Sequence, residues 1–264
     1  MSEPTLITAR SNAHIKLALS VRKSARTRKD TGLFFLEGAR LCADAADSDA
    51  AVAALFYTDS AAVSYADHVS LLRRSAHESF RISEALSDYL AETEHPQGIF
   101  CLCKTGARTA VIDPKGKYIA LSFVQNPDNL GAVSRTAEAL GLDGLIVEGG
   151  CDPFNPKAQR AAMGSLLRLP LIRTDDLPSL LRQCRDSGMR TFASTPDSTA
   201  LPVTRADFSG GVVCIVGNEG AGLRPEILDS CTRVTIPMRG RAESLNAAAA
   251  ASVLLWEMMR EAAG

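Results

Sequence analysis

"VQNPDNLGAVSRTAEALG", Val124 to Gly141, follows directly on the apolar run "YIALSF". Two asparagines, an aspartate, a proline and a glycine crowd into Asn126–Gly131. Leu130, Val133, Ala137 and Leu140 then recur with a helical period. The pattern predicts a strand over Tyr118–Phe123, a turn dense in hydrogen-bonding groups, and a helix over Leu130–Leu140 closed by Gly141. Asn129 is placed to cap that helix, which leaves Asn126 and Asp128 to brace the turn or face a ligand. At about 100° per residue Arg135 lies nearly opposite the apolar stripe, so it faces water, a ligand or another subunit.

Outward from this stretch the same alternation repeats. Further strands are expected at Gly144–Val147, Leu169–Ile172, Thr191–Ala193, Val212–Val216 and Val234–Ile236, with helices at Pro156–Leu166, Leu177–Ser187 and Leu245–Glu261. The reading is an α/β fold with a mainly parallel sheet and helices on both faces, whose ligands belong at the carboxyl ends of the strands. Upstream, "GLFFLEGARLCADAADS" reads as a strand running into a helix, "VAALFYTD" as a strand, "VSLLRRS" as helical and "RISEALSDYL" as a helix capped by Ser83. "HPQGIFCLCK" opens with a turn and becomes a strand. These make a smaller α/β domain over residues 1–103, joined by a turn-rich linker, 104–116, to a domain over 117–264.

Composition sets the outer limits. Of 264 residues, 46% are hydrophobic and 22% charged, enough for a real core in two ordinary domains. The apolar run Ala247–Trp256 is about half of a membrane span, and "MSEPTLITAR" lacks a secretory pattern, so a cytoplasmic protein is expected. Seven scattered cysteines, with Cys101 and Cys103 sharing one face of a strand, fit reduced buried thiols. No second pair stands at zinc spacing, and His14, His68, His77 and His95 form no ligand pattern, so no metal is called for. The net charge of −1 hides a gradient. Residues 10–29 carry Arg10, Lys16, Arg22, Lys23, Arg26, Arg28 and Lys29 and no acid, whereas residues 30–100 carry twelve acids and four bases. Such a basic segment is either a footprint for a polyanion or a solvated helix face.

Two more loops carry chemistry. "CIVGNEGAGLRPEIL", Cys214–Leu228, ends a buried strand at Gly217 and places three glycines within six residues, which lets a ligand approach the backbone. It matches neither a dinucleotide fingerprint nor a phosphate loop, which disfavours a nicotinamide enzyme. Glu219 in that turn suits a nucleoside or a partly cationic ligand better than phosphate. "VTIPMRGRAESLNAAAAASVLLWEM" leaves its strand at Ile236, carries Arg239 and Arg241, and enters an alanine-rich helix with Ser244 as the expected cap and Asn246 aimed at the same loops.

"NPDNLGAVSRTAEALG", "IVGNEGAGLRPEIL" and "IPMRGRAESLNAAAAASVLLWE", in that order, resemble the three signature motifs of the SPOUT superfamily, and more narrowly of the TrmH (SpoU) family of RNA ribose 2′-O-methyltransferases. The likeness covers roughly residues 117–262. "FFLEGARLCADA" and "HPQGIF" resemble the RNA substrate-binding domain that many of these enzymes carry. The resemblance implies a deep trefoil knot, a homodimer, and S-adenosylmethionine held among the three turns.

By the same resemblance the cofactor contacts are Thr195, Gly217, Asn218, Gly220, Ile236, Met238, Ser244, Leu245 and Asn246. Arg135 is the residue assigned to the hydroxyl's proton, either as a base or as a clamp, with Asn126, Asn129, Glu219, Ser244 and Asn246 in support. Alanine follows Asn246 where the family often carries valine or serine, which alters packing around the cofactor. RNA, ribosomal or transfer, is expected to contact Arg10, Arg22, Lys23, Arg26, Arg28, Lys29, Arg239 and Arg241, with Arg160 and Arg168 as contributors. With 5% aromatics and a single tryptophan in what reads as a buried helix, recognition should rest on shape and phosphates rather than stacking. A non-catalytic RNA-binding or ribosome-assembly factor on the same scaffold is the competing reading.

Overall fold

The structure, a computed structural model, describes residues 4–48, 50–105 and 111–260. Within the expected linker, residues 106–110 lie outside the described residues, as does Glu261 of the last helix. Contacts cluster into two compact units, residues 1–107 with 154–168, and residues 108–153 with 169–264.

The first unit runs β1 (Thr5–Ile7), α1 (Ala13–Lys23), α2 (Ala25–Thr31), β2 (Leu33–Glu37), α3 (Ala39–Ala46), β3 (Val52–Tyr57), α4 (Asp59–Ser64), α5 (Ala66–Ser75), β4 (Glu78–Ile82), α6 (Glu84–Leu90) and β5 (Ile99–Lys104). Its sheet has the order β1-β4-β3-β5-β2, with β5 antiparallel to both neighbours. Period-two alternation explains why both faces are dry. Along β5, Ile99, Cys101 and Cys103 enter one core cluster, and Phe100 and Leu102 the other. Burial pushes the Cys101 and Cys103 thiols well above their ordinary value, as expected for packed reduced thiols.

The basic segment is not uniformly a surface. Arg28 is 5% exposed and its Nη1 donates to the Val21 and Arg22 carbonyls at 2.9 and 3.1 Å, closing the end of α1. Arg22 in turn donates to the Leu90 and Ala91 carbonyls at the end of α6. Both were expected to face RNA; instead they satisfy helix-terminal carbonyls, the role a guanidinium fork fills when it is turned inward.

The second unit begins with β6 (Lys117–Ser122), α7 (Pro127–Ala139) and β7 (Gly144–Glu148). The next two helices, α8 (Pro156–Ala162) and α9 (Ser165–Arg168), belong by their contacts to the first unit, although the sequence reading put them in the second domain. The reason is local: the Phe154 ring lies 5.0 Å from Phe34, and Phe154 and Leu167 pack on the first unit's core. One helix was expected over Pro156–Leu166. It breaks at Met163 and Gly164, which take φ of 50° and 85°.

The second unit resumes with β8 (Leu171–Thr174), α10 (Leu177–Asp186), β9 (Arg190–Ser194), β10 (Leu201–Pro202), β11 (Val212–Val216), α11 (Pro225–Ser230), β12 (Thr232–Thr235) and α12 (Ala247–Met259). All seven strands are parallel, in the order β10-β12-β9-β11-β6-β7-β8. Strand interiors such as "VVCIV" are apolar throughout because both faces are covered. On one face Leu177, Leu181 and Cys184 of α10 meet Ile146, Ile172 and Ile215. Across the sheet, α12 lays Met258 against Cys214 (Sγ–Sδ 3.7 Å), where burial lifts the Cys214 thiol to about 12. Leu130, Val133 and Ala137 of α7 are fully buried as the stripe predicts, while Leu140 sits half-buried at the C-cap. The two-residue β10 had no legible sequence signal, whereas α11 was passed over although Pro225 at its first position and Glu226 in its first turn mark a helix start. No helix among the described residues is long and apolar enough to cross a membrane.

Candidate functional site

Three loops leave the carboxyl ends of β6, β11 and β12, and side-chain hydrogen bonds fasten them together. At the first, Asn126, not Asn129, caps α7: its side chain accepts from Asp128 N at 2.9 Å, and Pro127 occupies the first helical position. Asn129 is the third residue of the helix, 5% exposed, and does different work. Its Nδ2 donates to Glu219 Oε1 at 2.9 Å, and its Oδ1 accepts from Asn246 Nδ2 at 3.0 Å. Glu219 also accepts from the backbone of Gln125 and Asn126, each at 3.1 Å. Asn218 Nδ2 donates to the Phe123 carbonyl at 2.9 Å. One asparagine side chain therefore ties the β11 loop to the entrance of α12, with the carboxylate holding the β6 loop.

Glu219 explains its own charge. Partial burial pushes its carboxyl upward, but hydrogen bonds from the Asn129 side chain and the Gln125 and Asn126 backbone outweigh this and hold it below its ordinary value. Its stabilising contribution is thus fully present above the unfolded value of 4.5 and is lost as pH falls through the lower folded value. Glu219→Gln is expected to flatten the acid limb of the melting-temperature curve. It should also weaken affinity for ligands of the adjoining cleft by about tenfold, as one charge-assisted bond is lost. An acid limb like that of the parent chain would show that this clamp carries no stability.

The last loop corrects a second cap. Ser244 does not cap α12; Asn246 does, accepting from Ala248 N and Ala249 N at 2.9 and 3.3 Å. Asn246 thus serves helix and relay at once. The cleft enclosed by these loops is lined by Thr195 after β9, by Gly217, Asn218, Glu219 and Gly220 after β11, by Ile236 and Met238 after β12, and by Ser244, Leu245, Ala247, Ala250 and Leu254 around α12. Apart from Asn246, which is exposed and bonded to Asn129 outside the lining, every residue expected at the cofactor reaches this cleft. Ala247 and Ala250 leave room where larger side chains would intrude.

The chemistry of the lining selects a ligand class. Among the described residues it contains no lysine or arginine, and its only carboxylate, Glu219, is already engaged by the loops. Loop backbone and the Thr195, Asn218 and Ser244 side chains offer hydrogen bonds to a purine edge and ribose, apolar side chains cover its faces, and no positive charge repels a cation. A nucleoside bearing a sulfonium fits; a phosphate does not.

Arg135 projects from α7, exposed, with no hydrogen-bond or ion-pair partner among the described residues. The residues expected to contact RNA divide. Lys23, Lys29, Arg239 and Arg241 are exposed. Arg10 lies 4.5 Å over the Tyr89 ring, and Arg26 pairs with Asp30 at 3.6 Å. Arg160 and Arg168 form ion pairs with Glu92 and Asp44, at 2.7 and 3.4 Å. Trp256, read as buried, is 54% exposed, because it lies on the side of α12 away from the sheet. Sequence reasoning passed over Glu148, a carboxylate 1% exposed at the end of β7. It accepts from Ser122 Oγ (2.7 Å), Leu177 N (3.0 Å) and Arg224 Nη2 (2.6 Å). A glutamate closing an otherwise apolar strand was the available signal.

Residues 116–256 match the SpoU rRNA Methylase family, more than half of the chain. The chain belongs to the SpoU rRNA methylase family. Residues 12–101 of this SpoU protein match the MRM3-like substrate binding domain. It is 31% identical over 238 residues to the 23S rRNA (guanosine(2553)-2′-O)-methyltransferase RlmP of Bacillus subtilis, covering 89% of this chain and 91% of that one. Among solved structures, the AdoMet-bound rRNA methyltransferase from Sinorhizobium meliloti superposes with a TM-score of 0.86 at 28% identity, over 97% and 98% of the two chains. The SpoU methyltransferase AviRb from Streptomyces viridochromogenes, in complex with AdoMet, gives 0.84 at 28% identity, over 96% and 99%.

Proposed function

We propose that this SpoU protein transfers a methyl group from S-adenosylmethionine to a ribose 2′-hydroxyl of ribosomal RNA. The observation that carries the reading is the relay Glu219–Asn129–Asn246, which assembles three motif loops around a cleft suited to a sulfonium nucleoside. Relatives named as rRNA 2′-O-methyltransferases and AdoMet-bound structures of the same family support it. S-adenosylmethionine supplies a methyl group that is already electrophilic, so the chain's residues chiefly bind, orient and exclude water. The cleft positions the nucleoside through Gly217, Ile236 and Leu245, and Arg135 orients the incoming RNA. A guanidinium with an ordinary pKa above ~12 makes a poor base and a good fork for phosphate and hydroxyl oxygens. The partnerless exposure of Arg135 therefore favours the clamp.

The same proposal includes residues 12–101 as the RNA-holding domain, a cytoplasmic location, a homodimer and a knotted C-terminal segment. The exposed apolar Val253 and Trp256 on α12 support a face between copies, which sedimentation velocity would read as twice the chain mass. A knot accounts for the alanines at the start of α12, which let a helix pass close to other backbone; an experimental chain trace without one would end that part.

RNA binding then falls to Lys23, Arg26 and Lys29 rather than to the inward-facing Arg22 and Arg28. Changing those three to alanine should lower the slope of log affinity against log salt by about 0.7–0.9 for each phosphate that is no longer neutralised. An unchanged slope would remove this segment from the interface. Mapping 2′-O-methylation in total RNA from a deletion strain against its parent tests the whole reading. Loss of one ribosomal methyl group is expected, and an identical map would refute it. A non-catalytic binder would not take up S-adenosylmethionine in a calorimetric titration.

A further inference from the structure

Phe123 occupies a position that does not suit it. It has φ of 55°, left-handed backbone that a bulky residue adopts only under constraint, and its side chain is 42% exposed. The constraint is built from several sides. Phe123 N donates to the Glu148 carbonyl at 2.8 Å, and its own carbonyl accepts from Asn218 at 2.9 Å. Gly149 opens the seat for the ring: a Cβ there would meet Phe123 Cε1 at 2.5 Å. The Arg224 guanidinium carbon stands 5.3 Å from the ring centroid. Arg224 is held by the buried Glu148 at 2.6 Å and by Glu226 at 2.8 Å, so its charge is already balanced and a phosphate is not what it awaits. What remains presented is a fixed ring with the guanidinium over one of its faces, adjoining a loop whose Asn218 lines the cleft.

We infer that Phe123 with Arg224 is a stacking platform for a nucleobase unstacked from the substrate RNA beside the target ribose. The inference rests on the methyltransferase reading above. A rigid ring flanked by a planar cation is the surface on which single bases of RNA stack, whatever their identity. It is a local exception to the shape-and-phosphate recognition expected from the sparse aromatics. A glycine at position 123 would relieve the backbone.

The test measures binding of an in vitro transcript of large-subunit ribosomal RNA, with methyl transfer and S-adenosylmethionine affinity measured in parallel. Phe123→Ala and Phe123→Leu should weaken RNA binding by about 5- to 100-fold, the range of one base stack, with S-adenosylmethionine affinity unchanged. Phe123→Trp should restore RNA binding. Phe123→Gly should melt higher than the parent and still bind RNA poorly, which separates the role from folding. RNA affinity within twofold of the parent in Phe123→Gly and Phe123→Leu would overturn the platform. So would a shift of Phe123→Ala to a smaller assembly in sedimentation, since the ring would then be a contact between copies. A parent chain that binds the RNA without methylating it would defeat the functional reading while the binding ratios still decide the platform. A parent that does not bind RNA would defeat both.

Discussion

Arg135→Ala is expected to lower the rate of methyl transfer at saturating RNA by about 100- to 1,000-fold, the loss that follows removal of one preorganised charge donor at a reacting oxygen. Affinity for S-adenosylmethionine should stay within about twofold, because Arg135 lies outside the lining of the cleft. The exposed side chain supports no hydrogen bond or ion pair among the described residues, so the variant should melt with the parent. Arg135→Lys sharpens the test. A clamp needs the two-pronged planar fork, so lysine should recover only a small part of the rate. Single-turnover transfer at full parental speed in Arg135→Ala would remove the residue from the mechanism.

Gly217→Ala should act on the other half of the reaction. A Cβ at 217 would meet the Gly222 carbonyl carbon at 2.4 Å, its oxygen at 2.5 Å and Leu223 N at 2.7 Å, all backbone atoms. They cannot swing aside, because Asn218 and Gly222 exchange hydrogen bonds of 3.1 and 3.0 Å across the turn. The loop must open, moving the Asn218 and Glu219 side chains that locate the β6 loop. A loss of about 100-fold in S-adenosylmethionine affinity is expected. The melting temperature should fall by about 2–10 °C, from an overpacking cost of about 1–3 kcal/mol. Gly220→Ala is the matched control: its Cβ would meet only Asn218 Oδ1, at 3.7 Å, an ordinary contact. Equal cofactor affinity in the two variants would show that the turn at Gly217 does not shape the cleft.

Much of this site was legible because its signals are short-range. The strand over Val212–Val216, the helix-closing Gly141 at φ of 76°, and the α7 stripe each follow from a few adjacent residues. The convergence of the three loops was legible only through resemblance to a family, since no periodicity records that Asn129 meets Asn246 117 residues away. The misassigned caps have different causes. In "NPDN" a distant partner takes one candidate, whereas in "ESLN" Asn246 caps with its Oδ1 and reaches Asn129 with its Nδ2, so it does both and Ser244 does neither. Asn129 is drawn to Glu219 and Asn246, so Asn126 caps. Arg22 and Arg28 were misplaced because charge counts do not reveal which helix ends lack partners for their carbonyls. Phe123 was missed because a left-handed aromatic is invisible in a string that otherwise reads as the end of a strand.

The 117 residues between Asn129 and Asn246 also set a timetable. At about 5–20 residues per second, a chain under synthesis spends roughly 6–23 s with Asn129 made and its amide partner still untranslated. Through that interval the cleft lacks the wall that Leu245, Ala247, Ala250 and Leu254 supply, and for most of it the β11 loop as well. The cleft is whole only once the alanine-rich helix seats.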